Sequence, residues 1–288
     1  MLQNKFLLGG AQIGLTYGIN NSVGKPQLDE VSRILTTVEN SGFAGVDTAS
    51  VYGDSELRIG QCLSNRSPLK IYTKIKDVLK TDLIHEVKNS LSNLSVSSVE
   101  GLYFHDFSEV TQLKNIHRSI QEVRSQNLAN KIGVSVYFPH QAEFLLENSL
   151  PFDLIQFPYN ILDRRFDTVI PKLKLAGYTV VGRSIFLQGL LLMDTHSIPK
   201  KLEKVRGILD EIDSTAKKFN LSRYDALLNF ILSRDTIDFW VIGIDSLSQI
   251  DMLNQHIKLY KNNDSLNQIL SEFAILDESI ILPMNWNA

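Results

Sequence analysis

The sequence has one cysteine, Cys62, among its 288 residues, and it has neither a polybasic cluster nor a long apolar run. A lone thiol cannot form an internal disulfide or a metal site, so we interpret Cys62 as a reduced cysteine without a role, as expected in the cytoplasm. The net charge of −3 and the pI near 6.1 exclude the positive surface typical of nucleic-acid-binding proteins. No segment approaches the roughly 18 uninterrupted apolar residues of a membrane span, and no secretory cleavage pattern is present. The sequence predicts a cytoplasmic protein without nucleic-acid or membrane partners and without a metal.

Short apolar runs recur along the chain, as expected for parallel strands that are covered by helices. Hydrophobic residues make up 43% and charged residues 21%, which is the usual globular balance. The runs are apolar on both faces rather than alternating, which is typical of buried parallel strands. They occupy residues 6–12, 45–49, 70–75, 101–106, 131–136, 154–159, 179–185 and 240–245.

Helical periodicity fills the intervals between these runs. Apolar residues recur every three or four positions, and two short patterns share the long interval before the last strand. Thr81 is predicted to cap one helix and Gly42 to follow the end of another. The helical patterns cover residues 28–42, 81–94, 108–126, 200–219, 222–234 and 246–260.

The alternation of strands and helices predicts an α/β fold, a parallel eight-stranded (β/α)₈ TIM barrel that forms a single domain over residues 1–288. A doubly wound open sheet is the alternative. That fold usually carries G-x-G-x-x-G at its first strand–helix turn, and the glycines at 9, 10, 14 and 18 do not fit this spacing. We also read the two helical patterns between 200 and 234 as one extra helix, because no linker separates them.

Polar side chains stand where the predicted strands end, which is where barrel enzymes carry their chemistry. Asp47, Lys74 and His105 follow three consecutive strands, and Tyr52 lies in the loop after Asp47. Each has an ordinary structural explanation: a turn cap, a solvated lysine, a histidine bonded to backbone carbonyls and a packed loop residue. Consecutive parallel strands are usually neighbours, so the sequence predicts that the four side chains meet.

These four residue types can donate a proton to a carbonyl oxygen. A tyrosine with a pKa of about 10 is a poor acid near neutrality, and a nearby lysine cation is expected to lower that pKa. Asp47 supplies the counter-charge for Lys74, and His105 can orient the carbonyl. The set contains no nucleophile, metal or electron source, so a hydride from a bound nicotinamide would complete the reaction.

The motifs resemble those of the aldo-keto reductase family. "GVDTASVYGDSELRIG", "YTKI" and "YFHD" are similar to the family's acid–tyrosine, lysine and histidine motifs, and the resemblance runs from Gly9 to about Leu253. It implies a (β/α)₈ barrel that reduces a small-molecule aldehyde or ketone with NADPH or NADH. The resemblance also implies that Asp47, Tyr52, Lys74 and His105 form the catalytic tetrad. The opening "GGAQIGLTYGINN" and the ending "ILPMNW" resemble a bacterial branch associated with sugar or surface-polysaccharide metabolism.

The resemblance also implies three groups of coenzyme contacts. Residues of the fifth and sixth strands hold the nicotinamide, the loop after the seventh strand passes the pyrophosphate, and the segment after the eighth strand meets the adenosine phosphate. By motif position these contacts are Ser135, Gln156, Arg183, Ser184, Gln188, Gly189, Gly243, Asp245, Ser246 and Gln249.

Two positions and one segment depart from the family pattern. Arg183 stands where many members have an aromatic side chain against the nicotinamide, and Val136 stands where many have asparagine. The segment 242–253 has no lysine or arginine. We therefore expect Arg183 to face the cavity as a planar platform or as a clamp for an acidic substrate, the alternative being a surface ion pair.

Two other functions remain open at this level. One is a cofactor-binding regulatory barrel with little turnover, and the other is a sugar-modifying enzyme that retains its nicotinamide. The sequence is compatible with a monomer or a small homo-oligomer.

Overall fold

The computed structural model describes residues 2–64 and 66–287 and contains a closed barrel of parallel strands. Each strand pairs with the next along the chain, and the last pairs with the first. The strands are β1 (Phe6–Gly9), β2 (Gly45–Asp47), β3 (Lys70–Ile75), β4 (Val99–Phe104), β5 (Ala129–Ser135), β6 (Leu154–Pro158), β7 (Thr179–Arg183) and β8 (Phe239–Gly243). The predicted (β/α)₈ barrel is confirmed, and the open-sheet alternative is wrong because β1 and β8 close the ring.

Helices surround the barrel and lie in the intervals that their apolar periodicity predicted. The α-helices are α1 (Ala11–Gly14), α2 (Leu28–Asn40), α3 (Ser55–Cys62), α4 (Leu83–Leu94), α5 (Phe107–Gln112), α6 (Ile116–Ser125), α7 (Pro139–Glu147), α8 (Ile170–Leu175), α9 (Val205–Lys218), α10 (Arg223–Leu232), α11 (Leu247–Leu259), α12 (Asp264–Leu270) and α13 (Glu278–Ile281). Short 3₁₀ segments cover Leu2–Lys5, Leu187–Leu192, Thr195–Ser197, Lys200–Leu202, Ser271–Phe273 and Pro283–Asn287. Within the described ranges, no helix combines the length and the apolar character needed to cross a bilayer.

Two helix predictions differ from the structure. The pattern over 108–126 forms two helices, because the chain becomes extended at Leu113 and restarts after Asn115. The cap of α4 is Asp82 rather than Thr81, since the Asp82 carboxylate accepts a hydrogen bond from the His85 amide. The predicted role of Gly42 is confirmed, because it follows α2 with a φ of 80°.

The register of the barrel places the predicted catalytic side chains together. A buried cluster of Leu7, Tyr72, Tyr103, Leu154 and Val181 draws one residue from each of five strands. Side chains two residues apart on a strand share a face. Lys74, His105, Gln156 and Arg183 each come two residues after a member of this cluster, and so extend the same inner face to the carboxyl end of the barrel.

Candidate active site

A cavity of about 220 Å³ opens at the carboxyl end of the barrel. It runs from Tyr52 and His105 to the start of α11, and the loops after β1 and β7 form its walls. The sequence-predicted residues that line it are Asp47, Tyr52, His105, Ser135, Arg183, Ser184, Gln188, Gly189, Gly243, Asp245 and Gln249. Lys74, Gln156 and Ser246 are not part of the lining.

Asp47 lines the cavity and forms a buried ion pair with Lys74, which lies behind the lining. Their exposed fractions are 3% and 1%, and the Lys74 ammonium donates to Oδ2 of Asp47 and, over 3.1 Å, to the Thr48 carbonyl. Burial lowers the pKa of Lys74, and the Asp47 carboxylate opposes that shift. Lys74 is therefore held in place by its partner and is not a solvated strand-end lysine.

Gln156 lies against Asp47, behind the lining of the cavity. The side chain is completely buried, and its Nε2 donates to Oδ1 of Asp47 over 2.7 Å. Asp47 thus receives hydrogen bonds on both carboxylate oxygens, one from Lys74 and one from Gln156. This geometry makes Gln156 a support for the acid, and its Oε1 has no hydrogen-bond partner among the described residues. The nicotinamide contacts of Gln156 and of Ser135, which lines the cavity, stay predictions.

Glycines fix the position of Tyr52 on the turn after β2. Gly53 has a φ of 59°, and a Cβ there would lie 2.5 Å from the Gly14 carbonyl. A Cβ on Gly14 would in turn meet the carbonyl of Tyr52 at 1.9 Å. The loop after β1 therefore packs against the turn at backbone distance, which explains why glycine follows the tyrosine.

The acidity of Tyr52 differs from the sequence-based expectation. Its ring lies 5.4 Å from the Lys74 ammonium, yet its pKa is raised rather than lowered. Burial is the largest cause, the Asp47 carboxylate adds to it, and the Arg183 cation opposes both. The expected lowering of this pKa is wrong, because burial and the Asp47 carboxylate outweigh the nearby cations, and Tyr52 stays a protonated phenol.

His105 faces Tyr52 edge-on, with ring centroids 5.8 Å apart. Burial, together with the Lys74 and Arg183 cations, lowers its pKa to about 3. Its buried Nδ1 has no hydrogen-bond partner within the described residues. His105 is therefore a neutral imidazole near pH 7, able to donate a hydrogen bond from one nitrogen but unable to serve as a cation.

The lowered pKa of His105 makes stability depend on pH. Between the folded value of about 3 and the usual value near 6.5, the unfolded chain binds a proton that the folded chain does not, so stability falls as pH drops through this window. We expect the native protein to lose about 2 kcal/mol relative to His105→Gln between about pH 7 and pH 5. Urea unfolding of both proteins at the two pH values measures this difference. A constant difference would show that His105 is free to protonate in the fold.

The far end of the cavity has the features of a phosphate site. α11 has thirteen residues and begins after β8, and its N-cap residue Ser246 makes no side-chain capping bond. The first backbone N–H groups of the helix are thus left for an anion. Gln249 and Asp245 line this end, where Oε1 of Gln249 accepts from the Asp245 amide. The residues present therefore fit a dinucleotide phosphate.

The loop after β7 forms one wall of the channel between the two ends. Ser184, Leu187 and Gln188 have positive φ values, and the backbone folds back on itself there. The Gln188 carbonyl accepts a hydrogen bond from Ile19 over 3.0 Å, so the β1 loop crosses the channel to meet it. The predicted pyrophosphate contacts Ser184, Gln188 and Gly189 all lie on this wall.

Sequence analysis missed the aromatic and amide residues that these loops deliver. Tyr17 and Tyr137 line the reacting end, and burial raises the pKa of Tyr17 to about 12. Gln12, Asn20 and Tyr224 line the channel. "GLTYGINN" held the only signal, because its two glycines flank Tyr17 before a pair of asparagines. Nothing in the sequence around Tyr137 or Tyr224 indicates which way either side chain points.

Arg183 lines the cavity from the end of β7. Its guanidinium lies 4.2 Å from the centroid of the Tyr137 ring. Within residues 2–64 and 66–287 it makes no ion pair with a carboxylate. The surface ion pair that stood as the alternative is therefore not present in this part of the chain.

The comparisons with known proteins agree with this geometry. A sequence model described as the Aldo/keto reductase family matches residues 5–272. An aryl-alcohol dehydrogenase of Pestalotiopsis microspora is 24% identical over 270 residues, covering 82% of this chain and 70% of that protein. Two solved structures have a TM-score of 0.76. One is an aldo-keto reductase of Bacillus halodurans in its holo form, 18% identical over 94% of this chain and 92% of that one. The other is a glycerol dehydrogenase of Gluconobacter oxydans, which is 20% identical, with 97% of this chain and 92% of that one covered.

Proposed function

The chain belongs to the aldo-keto reductase family, a family of nicotinamide-dependent oxidoreductases, and from this premise we propose that it reduces an aldehyde or ketone to an alcohol, with Tyr52 as the general acid. The observation that carries the proposal is the meeting of Tyr52, His105 and the Asp47–Lys74 pair at one end of a cavity whose other end is a helix N-terminus. A bound reduced nicotinamide would supply the hydride. The protein's own residues supply the proton and the position of the substrate.

Tyr52 holds the proton that the alcohol product needs. The raised pKa keeps the phenol neutral in the free protein, so its proton is present when a carbonyl compound enters. Negative charge grows on the carbonyl oxygen during reduction, and a positioned phenol can transfer its proton to that oxygen. The Arg183 cation favours the phenolate that is left behind.

His105 orients the carbonyl oxygen toward Tyr52. Its low pKa keeps the ring neutral, so it acts by donating a hydrogen bond and not by giving up a proton. The edge-on contact with Tyr52 places both donors around the same space. Two donors that are fixed before the reaction stabilise the developing negative charge without reorganising.

The buried Asp47–Lys74 pair keeps the acid end rigid. The Lys74 ammonium lies 5.4 Å from the centroid of the Tyr52 ring and 5.8 Å from that of the Tyr103 ring. Asp47 holds Lys74 there and is itself held by Gln156. We propose that this chain of contacts fixes the distance between the lysine and the phenol.

The two coenzymes, NADPH and NADH, should bind with similar affinities, within about tenfold of each other. Arg183 is the one lysine or arginine among the described residues that line the cavity, and it lies at the end opposite α11. A 2′-phosphate would thus meet helix N–H groups and hydroxyls, with Asp245 opposing it. Titration of each reduced coenzyme at one ionic strength measures the ratio.

The variant Asp245→Asn provides the control for this coenzyme prediction. Removal of the carboxylate should shift the ratio toward NADPH, since only NADPH carries the additional phosphate. A preference of about a hundredfold for NADPH in the native protein would contradict the prediction, because it requires a cation that reaches the phosphate from outside the lining.

The proposed reaction is tested by mixing the purified protein with each reduced coenzyme and a panel of aldehydes, ketones and sugars. Loss of the absorbance of the reduced nicotinamide, with formation of the matching alcohol, supports the reductase. Coenzyme binding without turnover of any carbonyl compound would favour a regulatory barrel. Turnover of a sugar without net coenzyme consumption would favour an enzyme that retains its nicotinamide.

A further inference from the structure

Arg183 is the one cation among the described residues that line the active-site cavity, and no carboxylate of those residues forms an ion pair with it. Its Nη atoms reach Ser184 Oγ and the Val136 carbonyl at 3.5 Å each, which is the outer limit of a hydrogen bond. Arg58 shows the contrast: Arg183 is only partly buried, whereas Arg58 is buried and donates to the Ile13 and Pro26 carbonyls over 2.5 and 2.7 Å. A guanidinium has five donors, so most of those on Arg183 remain available to a ligand.

The other charges at this end of the cavity cancel. Asp47 and Lys74 neutralise each other, and His105 is uncharged near pH 7. Arg183 therefore leaves a net positive charge beside the space where the carbonyl group must lie. The partly enclosed setting makes this charge stronger than it would be in water.

The orientation of Arg183 suits a planar anion. Its guanidinium lies over the Tyr137 ring, which is a favourable cation–π arrangement that restrains the plane. Its two Nη atoms make only the two 3.5 Å contacts among the described residues, and a guanidinium binds a carboxylate through two parallel N–H···O hydrogen bonds. Tyr17 lines the same end of the cavity and adds a phenolic donor.

We propose that Arg183 is a specificity residue that binds the carboxylate of the substrate, so that the preferred substrates are aldehydes or ketones that carry a carboxylate group. The inference rests on the proposed reductase function and narrows its substrate class. Arg183 lies at the reacting end, with Tyr52 and His105, whereas the helix N-terminus that fits a phosphate of the coenzyme lies at the other end. The pyrophosphate of the coenzyme is the competing anion, and the experiment distinguishes the two.

The test compares 4-carboxybenzaldehyde with its methyl ester, which has the same ring and aldehyde but no charge. In the native protein we expect kcat/KM for the acid to exceed that for the ester by about tenfold to a hundredfold, the usual range for a charge-assisted bidentate pair. Arg183→Met should reduce this ratio to about three or less. Arg183→Lys should leave an intermediate ratio, because lysine keeps the positive charge but lacks the paired N–H donors of the guanidinium. Arg33→Met removes the same charge from an exposed surface pair and should retain the native ratio.

Binding measurements with the oxidised coenzyme separate this inference from the proposed reaction, because no hydride is then available. Calorimetry should show the same acid-over-ester preference in Kd for the native complex, and its loss in Arg183→Met. This result would support the carboxylate site even if no turnover were detected. Equal affinities for the acid and the ester in the native complex would overturn the inference. The inference would also be overturned if Arg183→Met kept the native ratio of acid to ester affinity but bound the coenzyme much more weakly. That result would assign Arg183 to the pyrophosphate.

Discussion

Tyr52→Phe is expected to reduce carbonyl compounds roughly 10²–10⁴ times more slowly than the native protein, while it folds normally and binds the coenzyme. The substitution removes one hydroxyl from the cavity and leaves the ring against His105 and Lys74. Only the transferable proton is lost, so the effect should appear in kcat rather than in stability. Steady-state kinetics, a coenzyme titration and a thermal melt measure the three quantities.

Tyr178→Phe is a matched control for Tyr52→Phe. It removes a phenolic hydroxyl from the residue just before β7. This hydroxyl makes a 3.4 Å contact with the Leu150 carbonyl, and Tyr178 does not line the cavity. We expect its rates to match those of the native protein. If Tyr52→Phe kept its rate within about threefold of the native value, Tyr52 would not be the general acid.

Asp47→Asn is expected to reduce both rate and stability, unlike Tyr52→Phe. The substitution leaves the buried Lys74 ammonium without its counter-charge, and breaking a buried pair in this way costs on the order of 3–5 kcal/mol. Part of that cost disappears if Lys74 loses its proton. The rate should fall because Lys74 then lacks the partner that fixes its distance from the Tyr52 ring. Urea unfolding and steady-state kinetics on the same preparation measure both effects.

The double variant Asp47→Asn, Lys74→Met shows whether the stability loss comes from the stranded charge. Removing both charges often costs less than removing one, because no buried ion is left unpaired. We expect the double variant to be more stable than Asp47→Asn, yet to stay poorly active. An unchanged free energy of unfolding in Asp47→Asn would mean that water reaches Lys74 and that the pair is not enclosed.

The pattern of the strands predicted which side chains would meet, but not their electrostatics. Asp47, Lys74 and His105 follow successive strands, and parallel neighbours bring such positions together. The pKa of Tyr52 could not be predicted in the same way. It depends on burial, on the Asp47 carboxylate and on the Arg183 cation, and all three are set by distances that no single motif contains.

Gln156 shows a related limit of motif position. The resemblance assigned it to the nicotinamide because of its place on the sixth strand. In the structure its amide also supports the acid, because Nε2 donates to Oδ1 of Asp47, which the motif did not indicate. A motif specifies the strand and the face, whereas the partner of a buried amide is decided by whichever acceptor lies nearest after the barrel closes.

The sequence by itself determined the barrel, the order of its strands and the four residues proposed as the tetrad, because hydrophobic periodicity and strand-end position are local properties of the chain. Only the tertiary structure decided that the loop after β1 crosses to Gln188, that Tyr17 and Tyr137 line the reacting end, and that Arg183 lies there without a carboxylate partner in the described residues. Loops have no periodicity that fixes their direction, and their paths follow from packing against distant segments. A charge is paired or unpaired according to what the closed fold places beside it.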